Sequence, residues 1–340
     1  MLPTGGSKSL CYQLPALLRG GTGVVVSPLI ALMKDQVDAL RARGVEAGLL
    51  NSHLSLGEER NFLEKFVANE FEIVLITPER FQSQPFLDAL ANVDVRLFAV
   101  DEAHCVSQWG HNFRVDYGRL GHARSLLGNP PPPTVALTAT ATPAVQEDII
   151  ASLGISNARK FILGFDRPNL VMAIKDIKVG SSPNIWAATK YVNKQKMKSV
   201  SSLVAMSPAL VYCGTRASVE EVTEYLTEKG IDAGMYHAGL DSEERTNVQN
   251  KFISGELDVV VATNAFGMGI DKADIRTLIH FQIPGTIEAY YQEIGRAGRD
   301  GKPSRTILLY SANDRNLQVT FSISRYRKGY LKISVVRRIK

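Results

Sequence analysis

The sequence predicts an α/β protein of two domains, each a mostly parallel sheet flanked by helices. Short apolar runs alternate with helical patterns along the chain, the rhythm of strand–helix–strand units. The rhythm occurs once in each half. The chain has 340 residues, and roughly 150 residues per domain gives two domains.

The elements follow in order. Val24-Val25-Val26 reads as a buried strand, and Leu29, Leu32, Met33, Gln36, Val37 and Leu40 follow at helical spacing. Ile73-Val74-Leu75-Ile76, Leu97-Phe98-Ala99-Val100 and Val135-Ala136-Leu137 are further strands. The prolines at 130–133 form a stiff loop tip. Asp166-Arg167-Pro168 marks the boundary, giving domains at 1–167 and 168–325 and a basic tail at 326–340. The segment 175–207 is weakly patterned, with Gly180-Ser181-Ser182-Pro183 and Lys178, Lys190, Lys194, Lys196 and Lys198. It reads as an irregular entry into the second domain. Ala209-Leu210-Val211-Tyr212, Val259-Val260-Val261 and Thr277-Leu278-Ile279 are that domain's strands.

Apolar residues at 45% and charged residues at 21% exclude disorder, collagen and coiled coil. No apolar run approaches the roughly 18 residues of a membrane span, and no signal-peptide pattern opens the chain. Cys11, Cys105 and Cys213 are too few for a disulfide framework or a four-cysteine zinc site. The expectation is a reduced, intracellular protein without zinc or membrane contact. The net charge of +5 is uneven: eight Lys or Arg and no acid lie from Arg315 to Lys340. A basic tail on a near-neutral body fits a polyanion partner, and equally a solvated helix.

Three segments carry chemistry. Pro3-Thr4-Gly5-Gly6-Ser7-Lys8-Ser9 precedes a helical pattern. A phosphate loop needs small residues whose N–H groups curl around phosphates, a Lys for the β and γ oxygens, and a hydroxyl on Mg²⁺. Lys8 and Ser9 have that order, with Leu2 and Ser7 where the strict pattern has glycines. The plainer reading is a Gly-rich turn before a helix. Asp101-Glu102-Ala103-His104 follows a strand, where an α/β sheet places a metal-bound nucleotide. Asp101 would hold Mg²⁺ and Glu102 would orient and deprotonate the attacking water; the plainer role is a helix N-cap. Gln292-Glu293-Ile294-Gly295-Arg296-Ala297-Gly298-Arg299 presents two arginines three apart, read as adjacent forks on one helix face. They suit charge on a transferring phosphoryl group, or two surface salt bridges.

Together these segments resemble the motor core of RecQ-family DNA helicases, within helicase superfamily 2. The likeness includes Val26-Ser27-Pro28-Leu29-Ile30-Ala31, Thr77-Pro78-Glu79-Arg80, Leu137-Thr138-Ala139-Thr140-Ala141-Thr142, Val211-Tyr212-Cys213-Gly214-Thr215-Arg216 and Ala262-Thr263-Asn264-Ala265-Phe266-Gly267-Met268-Gly269-Ile270-Asp271. The aromatic-rich stretch after His104, with Trp109, Phe113 and Arg114, points to RecQ in particular. Such rings can stack on bases, and the arginine can pair with phosphate; a Trp and a Phe four apart also suit core packing.

The resemblance implies two RecA-like domains with the nucleotide in the cleft between them. It implies ATP and Mg²⁺ held by Thr4, Gly5, Gly6, Ser7, Lys8, Ser9 and Asp101, with Asp271 near the ribose. Arg296 and Arg299 would serve the γ-phosphate. Ser27, Thr77, Thr215 and Thr263 would touch the DNA backbone, which positions a strand without reading it. His104, Thr138, Thr140 and Gln292 would couple ATP state to DNA. The implied activity is 3′-to-5′ DNA translocation and unwinding, on single-stranded and forked DNA, in bacterial cytoplasm or eukaryotic nucleus.

Four departures qualify this. Met1 stands where the family has a preceding strand and an adenine-gripping segment, implying a chain truncated at its front. Ser7 replaces a glycine, so its Cβ would crowd the phosphates. Asn112 and Val115 replace an acid and a proline. No cysteine follows Cys213, so the family's zinc-binding and winged-helix region is not expected here. The alternatives are a hydrolytically impaired DNA-binding fragment and a superfamily 2 RNA helicase.

Overall fold

The structure is a computed structural model that describes residues 1–2, 8–107, 114–163, 166–178, 185–267 and 272–315. The chain divides into two compact units, Met1–Asp166 and Arg167–Lys340. The tail expected at 326–340 lies outside the described residues.

The first unit runs α1 (Leu10–Arg19), β1 (Thr22–Val26), α2 (Ile30–Arg41), β2 (Ala47–Leu50), α3 (Leu56–Val67), β3 (Ile73–Ile76), α4 (Gln84–Leu90), β4 (Val95–Val100), α5 (Leu120–Ser125), β5 (Thr134–Ala136) and α6 (Pro143–Leu153). Its sheet is parallel throughout, in the order β2-β3-β1-β4-β5. Central β1 is buried at every position, as a strand covered on both faces must be. Alternate side chains divide the core. Val24, Val26, Phe98 and Val100 pack with Phe62, Phe66 and Phe86, whereas Val25, Leu97 and Ala99 pack with Tyr12, Met33 and Val37. Polar caps fix the helix starts. Ser55 and Glu58 form a reciprocal capping box on α3, and Thr142 caps α6 ahead of Pro143.

Register places the chemistry. Val26 lies level with Ile76 and Val100, and Val100 with Ala136. Ser27, Thr77, Asp101 and Leu137 therefore leave the sheet together along one edge, the carboxyl ends of the strands, where open α/β sheets take their ligands.

The second unit runs β6 (Leu170–Asp176), α7 (Ile185–Leu203), β7 (Ala209–Tyr212), α8 (Arg216–Glu228), β8 (Ala233–Tyr236), α9 (Ser242–Ser254), β9 (Val259–Ala262), β10 (Thr277–His280), α10 (Ile287–Ile294) and β11 (Ser304–Tyr310). The order is β6-β11-β10-β7-β9-β8, again parallel throughout. Tyr212 lies level with His280 and Ala262. Among the described residues no helix is long and apolar enough to cross a membrane.

The irregular entry expected at 175–207 is corrected. Residues 185–203 form the 19-residue helix α7. Ala188, Val192, Val200 and Val204 make a buried stripe at four-residue spacing, with Lys196 standing inside it. Its ammonium is fully buried and donates to both Asp314 oxygens at 2.8 Å and to Phe281 O at 2.6 Å. A lysine at the centre of an apolar stripe erases the periodicity that would announce the helix.

Candidate functional site

The site in the first unit grows from the end of β4. Asp101 N–H donates to Val26 O at 2.8 Å, which ties the residue to the end of β1. Tyr117, fully buried, donates its hydroxyl to Asp101 O at 3.0 Å and so holds the next peptide. Asp101 Oδ1 accepts Glu102 N–H at 3.0 Å. Burial, then the neighbouring Glu102 charge, push the Asp101 carboxyl up to about 7, with Lys8 pulling the other way.

Glu102 turns sharply. Its backbone sits in the left-handed region, at φ +46° and ψ +45°, which costs a non-glycine residue about 1–3 kcal/mol. Ala103 N–H imposes the turn by donating to Leu137 O at 2.8 Å. The side chain is thereby aimed between two partners. Oε1 lies 4.0 Å from Lys8 Nζ, and Oε2 lies 3.3 Å from His104 Nδ1.

His104 is buried, with Nδ1 3.0 Å from Thr138 Oγ1. Thr138 Oγ1 also accepts Thr140 N–H at 3.2 Å and donates to Thr140 O at 3.0 Å. A hydroxyl has one proton, and Thr140 O receives it. His104 Nδ1 lies within hydrogen-bond reach of both Thr138 Oγ1 and Glu102 Oε2. Lys8, Asp101, Glu102, His104, Thr138 and Thr140 thus form one connected site.

Lys8 and Ser9 stand immediately before α1, and Ser9's side chain makes no cap bond to that helix. Its hydroxyl is not committed to the role that an N-cap serine usually has. Among the described residues no group of three or more His, Cys, Asp or Glu could hold a metal. One hydroxyl and one buried carboxylate suit Mg²⁺, which takes few protein ligands and fills its shell with water and phosphate oxygens. A carboxyl held above its usual range stands to regain its charge beside a cation, so the residues present fit Mg–nucleotide.

Two further residues line the same edge. Ser27 Oγ and Thr77 Oγ1 are buried with no hydrogen-bond partner in the described structure, and such orphaned groups ask for one. Arg114 joins them, its Nη1 3.4 Å from Pro28 O and its N–H donating to Cys105 O at 3.1 Å. Arg80, by contrast, is turned inward on Glu59 and Asn51 O, at 2.8 and 3.0 Å.

In the second unit Thr215 caps α8, accepting Ser218 N–H at 3.1 Å, and Thr263 follows β9 with its N–H on Tyr236 O at 3.1 Å. Gln292 lies on α10. The expectation of both arginines on a helix face is corrected. The helix ends at Ile294, and Arg296 and Arg299 lie in the turns beyond it. Gly298 makes this possible. Its φ is +55°, and a Cβ there would meet Asn169 Nδ2 at 2.6 Å and Ser304 Oγ at 2.7 Å. Three residues the motif reading did not single out cluster here: Tyr212 lies near Arg296 and stacks on His280, which pairs with Glu293. The buried His280 has its Nε2 2.8 Å from Oε2 of the half-buried Glu293, a pair whose only sequence signal is a histidine ending an apolar strand. Thr4, Gly5, Gly6, Ser7, Trp109, Phe113 and Asp271 lie outside the described residues.

Known proteins share this organisation. The family model for the DEAD/DEAH box helicase matches residues 1–149, and that for the helicase conserved C-terminal domain matches residues 195–301. The ATP-dependent DNA helicase RecQ of Haemophilus influenzae is 42% identical over 314 residues, which is 92% of this chain. The ATP-dependent DNA helicase Q5 of Mus musculus is 46% identical over 331 residues, or 95% of it. This chain belongs to the RecQ helicase family.

The RecQ-family chain spans about half the length of the bacterial relative (48%) and 33% of the mouse one. Its fold is also that of the DUF1998 helicase MrfA bound to DNA and AMPPNP, with a TM-score of 0.72 at 18% identity, covering 95% of this chain and 47% of that one. Both matched helicase regions fall on the parallel sheets described above. The RecQ signature stretch beside Asp101 and Glu102 is described only in part, by Cys105, Val106, Ser107 and Arg114.

Proposed function

We propose that this chain is an ATP-driven DNA motor of RecQ type, coupling hydrolysis to 3′-to-5′ movement on single-stranded DNA and to the opening of forked duplexes. One observation carries the reading. The contacts Lys8–Glu102–His104–Thr138 run unbroken, and Arg114 is bonded to Cys105, the residue after His104. A carboxylate poised for water and an arginine suited to DNA phosphate are thus parts of one short, hydrogen-bonded segment.

Bound Mg–ATP supplies the phosphoryl group and the free energy of its transfer. Lys8 neutralises phosphate charge, and Ser9 and Asp101 are the ligands for the metal. Glu102 orients the attacking water and takes its proton. Its strained backbone holds the carboxylate where Lys8 and His104 can both reach it. Arg296 and Arg299 supply positive charge to the transferring group, a role worth about 10³–10⁵ in rate. Thr4, Gly5, Gly6 and Ser7 are assigned to the phosphates, and Asp271 to the ribose.

Ser27, Thr77, Arg114, Thr215 and Thr263 grip the sugar-phosphate backbone, and Trp109 and Phe113 stack on bases. The orphaned hydroxyls of Ser27 and Thr77 support this most directly. Thr138, Thr140 and Gln292 join His104 in passing the state of one site to the other. A differential preference of two conformations for nucleotide and for DNA is what such coupling requires.

Two experiments test the reading. Streptavidin displacement from single strands biotinylated at either end reads direction: faster release from the 5′ end supports 3′-to-5′ movement, and equal release refutes it. Competition between DNA and RNA oligomers of one sequence reads the substrate. Stimulation of hydrolysis by RNA as strong as by DNA would favour a superfamily 2 RNA helicase.

A further inference from the structure

We infer that Tyr212 is a positioning residue for Arg296, fixing the direction of its guanidinium for the transferring phosphoryl group. The inference rests on the ATPase reading above and adds a residue to it.

Tyr212 ends β7 and is buried. Its hydroxyl donates to Phe266 O at 2.8 Å. Having given its only proton there, the oxygen can only accept, and the Arg296 guanidinium is the donor group that lies beside it. Burial pushes the Tyr212 phenol up to about 12, so the hydroxyl keeps its proton at every working pH. The ring is fixed in turn. It lies 5.7 Å from the His280 ring at 26°, and Tyr290 lies 5.0 Å from the far side of that histidine. His280 Nε2 is tied to Glu293, one turn before Arg296.

The guanidinium is also bounded by a missing side chain. A Cβ on Gly267 would lie 2.9 Å from Arg296 Nη2 and 3.1 Å from Tyr212 Oη. The glycine has no positive φ to explain it; the space it leaves is occupied by the two groups in question. A long, flexible arginine thus lies against a fixed phenol oxygen and one close wall. Transition-state stabilisation demands such preorganisation, because misplacement by about 1 Å can cost 10²-fold.

The test is steady-state ATP hydrolysis by the full chain at saturating single-stranded DNA, for Tyr212→Phe, Arg296→Gln, their double variant and Gly267→Ala. Tyr212→Phe keeps the ring against His280 and removes only the hydroxyl. The expected result is a kcat about tenfold lower, with KM for ATP within about twofold and the melting temperature within about 4 °C. A purely structural role would move stability and leave kcat alone. The double variant should be no slower than Arg296→Gln, since the hydroxyl acts through that arginine. Gly267→Ala should fold, because its methyl meets the end of a flexible side chain, and should also lose kcat.

Wild-type kcat in Tyr212→Phe, or a double variant whose loss is the product of the two singles, overturns the inference. A wild-type chain that hydrolyses ATP while Gly267→Ala hydrolyses equally well overturns it too. A wild-type chain that melts cooperatively yet hydrolyses nothing with DNA overturns the ATPase reading, and this inference with it.

Discussion

His104 Nδ1 lies 3.0 Å from Thr138 Oγ1, across 34 residues of chain and inside the core of the first unit. The threonine oxygen already serves both backbone groups of Thr140. The loop after β4 is thereby fastened to the loop after β5. Any movement of one loop must be answered by the other.

Thr138→Val tests that fastening. Valine keeps the shape and removes the hydroxyl's hydrogen bonds to His104 Nδ1 and the Thr140 backbone. The expected cost in stability is about 1–3 kcal/mol, read by thermal denaturation. DNA-independent hydrolysis should persist and stimulation by DNA should fall. Unchanged stimulation would mean that His104 and Thr138 do not transmit.

Glu102, assigned to the attacking water, sits on a strained backbone. Glu102→Gly and Glu102→Ala both remove the carboxylate, but only glycine relaxes the backbone at φ +46°. The glycine variant should therefore be the more stable of the two by about 1 kcal/mol in denaturation, while both lose hydrolysis. Equal stability would show that the left-handed turn is not a burden on the fold.

Arg114 is assigned to phosphate, and the assignment has a salt signature. Arg114→Ala should weaken binding of single strands of every sequence alike. The slope of log affinity against log salt should become shallower by about 0.7, the share of one phosphate contact on a single strand. Fluorescence anisotropy over a salt series measures it, and an unchanged slope would move Arg114 out of the interface.

Lys196 makes the second unit depend on a buried ion pair. Burial pulls the ammonium down and pushes Asp314 up, while each group's charge opposes the shift in the other. Lys196→Met would leave the Asp314 carboxylate enclosed without its counter-charge, at a cost of about 3–5 kcal/mol. Adding Asp314→Leu should recover most of the loss. Thermal melting of the single and double variants reads both effects.

Much of this was legible in the residue order, and the exceptions have physical causes. The β-branched run at Val24-Val25-Val26 and the runs of β3, β4, β7 and β9 announce themselves, because strands buried on both faces are continuous apolar segments. Strands β2 and β8 each carry a glycine, a residue depleted in strands, and so do not stand out as apolar runs. Gly48 and Gly234 are instead places of close packing, where a Cβ would meet Phe62 at 2.8 Å and Leu257 at 2.5 Å. Edge strand β6 has only Leu170 buried and so shows no alternation, and β11 opens on the buried polar Ser304 and Thr306. At the site, residue types and order pointed to Lys8, Asp101, Glu102 and His104. The left-handed turn at Glu102 was not legible, because it depends on the carbonyl of Leu137. The contact of His104 with Thr138 was not legible either, because it joins residues 34 apart in the chain. The two arginines were misread as helical because nothing local shows that Gly298 adopts a positive φ.

The central claim is that Glu102 works in an ATPase that DNA controls. Steady-state ATP hydrolysis by the purified chain and by Glu102→Gln, each with and without single-stranded DNA, tests it most directly. The account predicts strong stimulation of the wild-type chain by DNA and none in Glu102→Gln, which should still bind the same strand. A folded wild-type chain that binds DNA but hydrolyses ATP no faster than Glu102→Gln would contradict it.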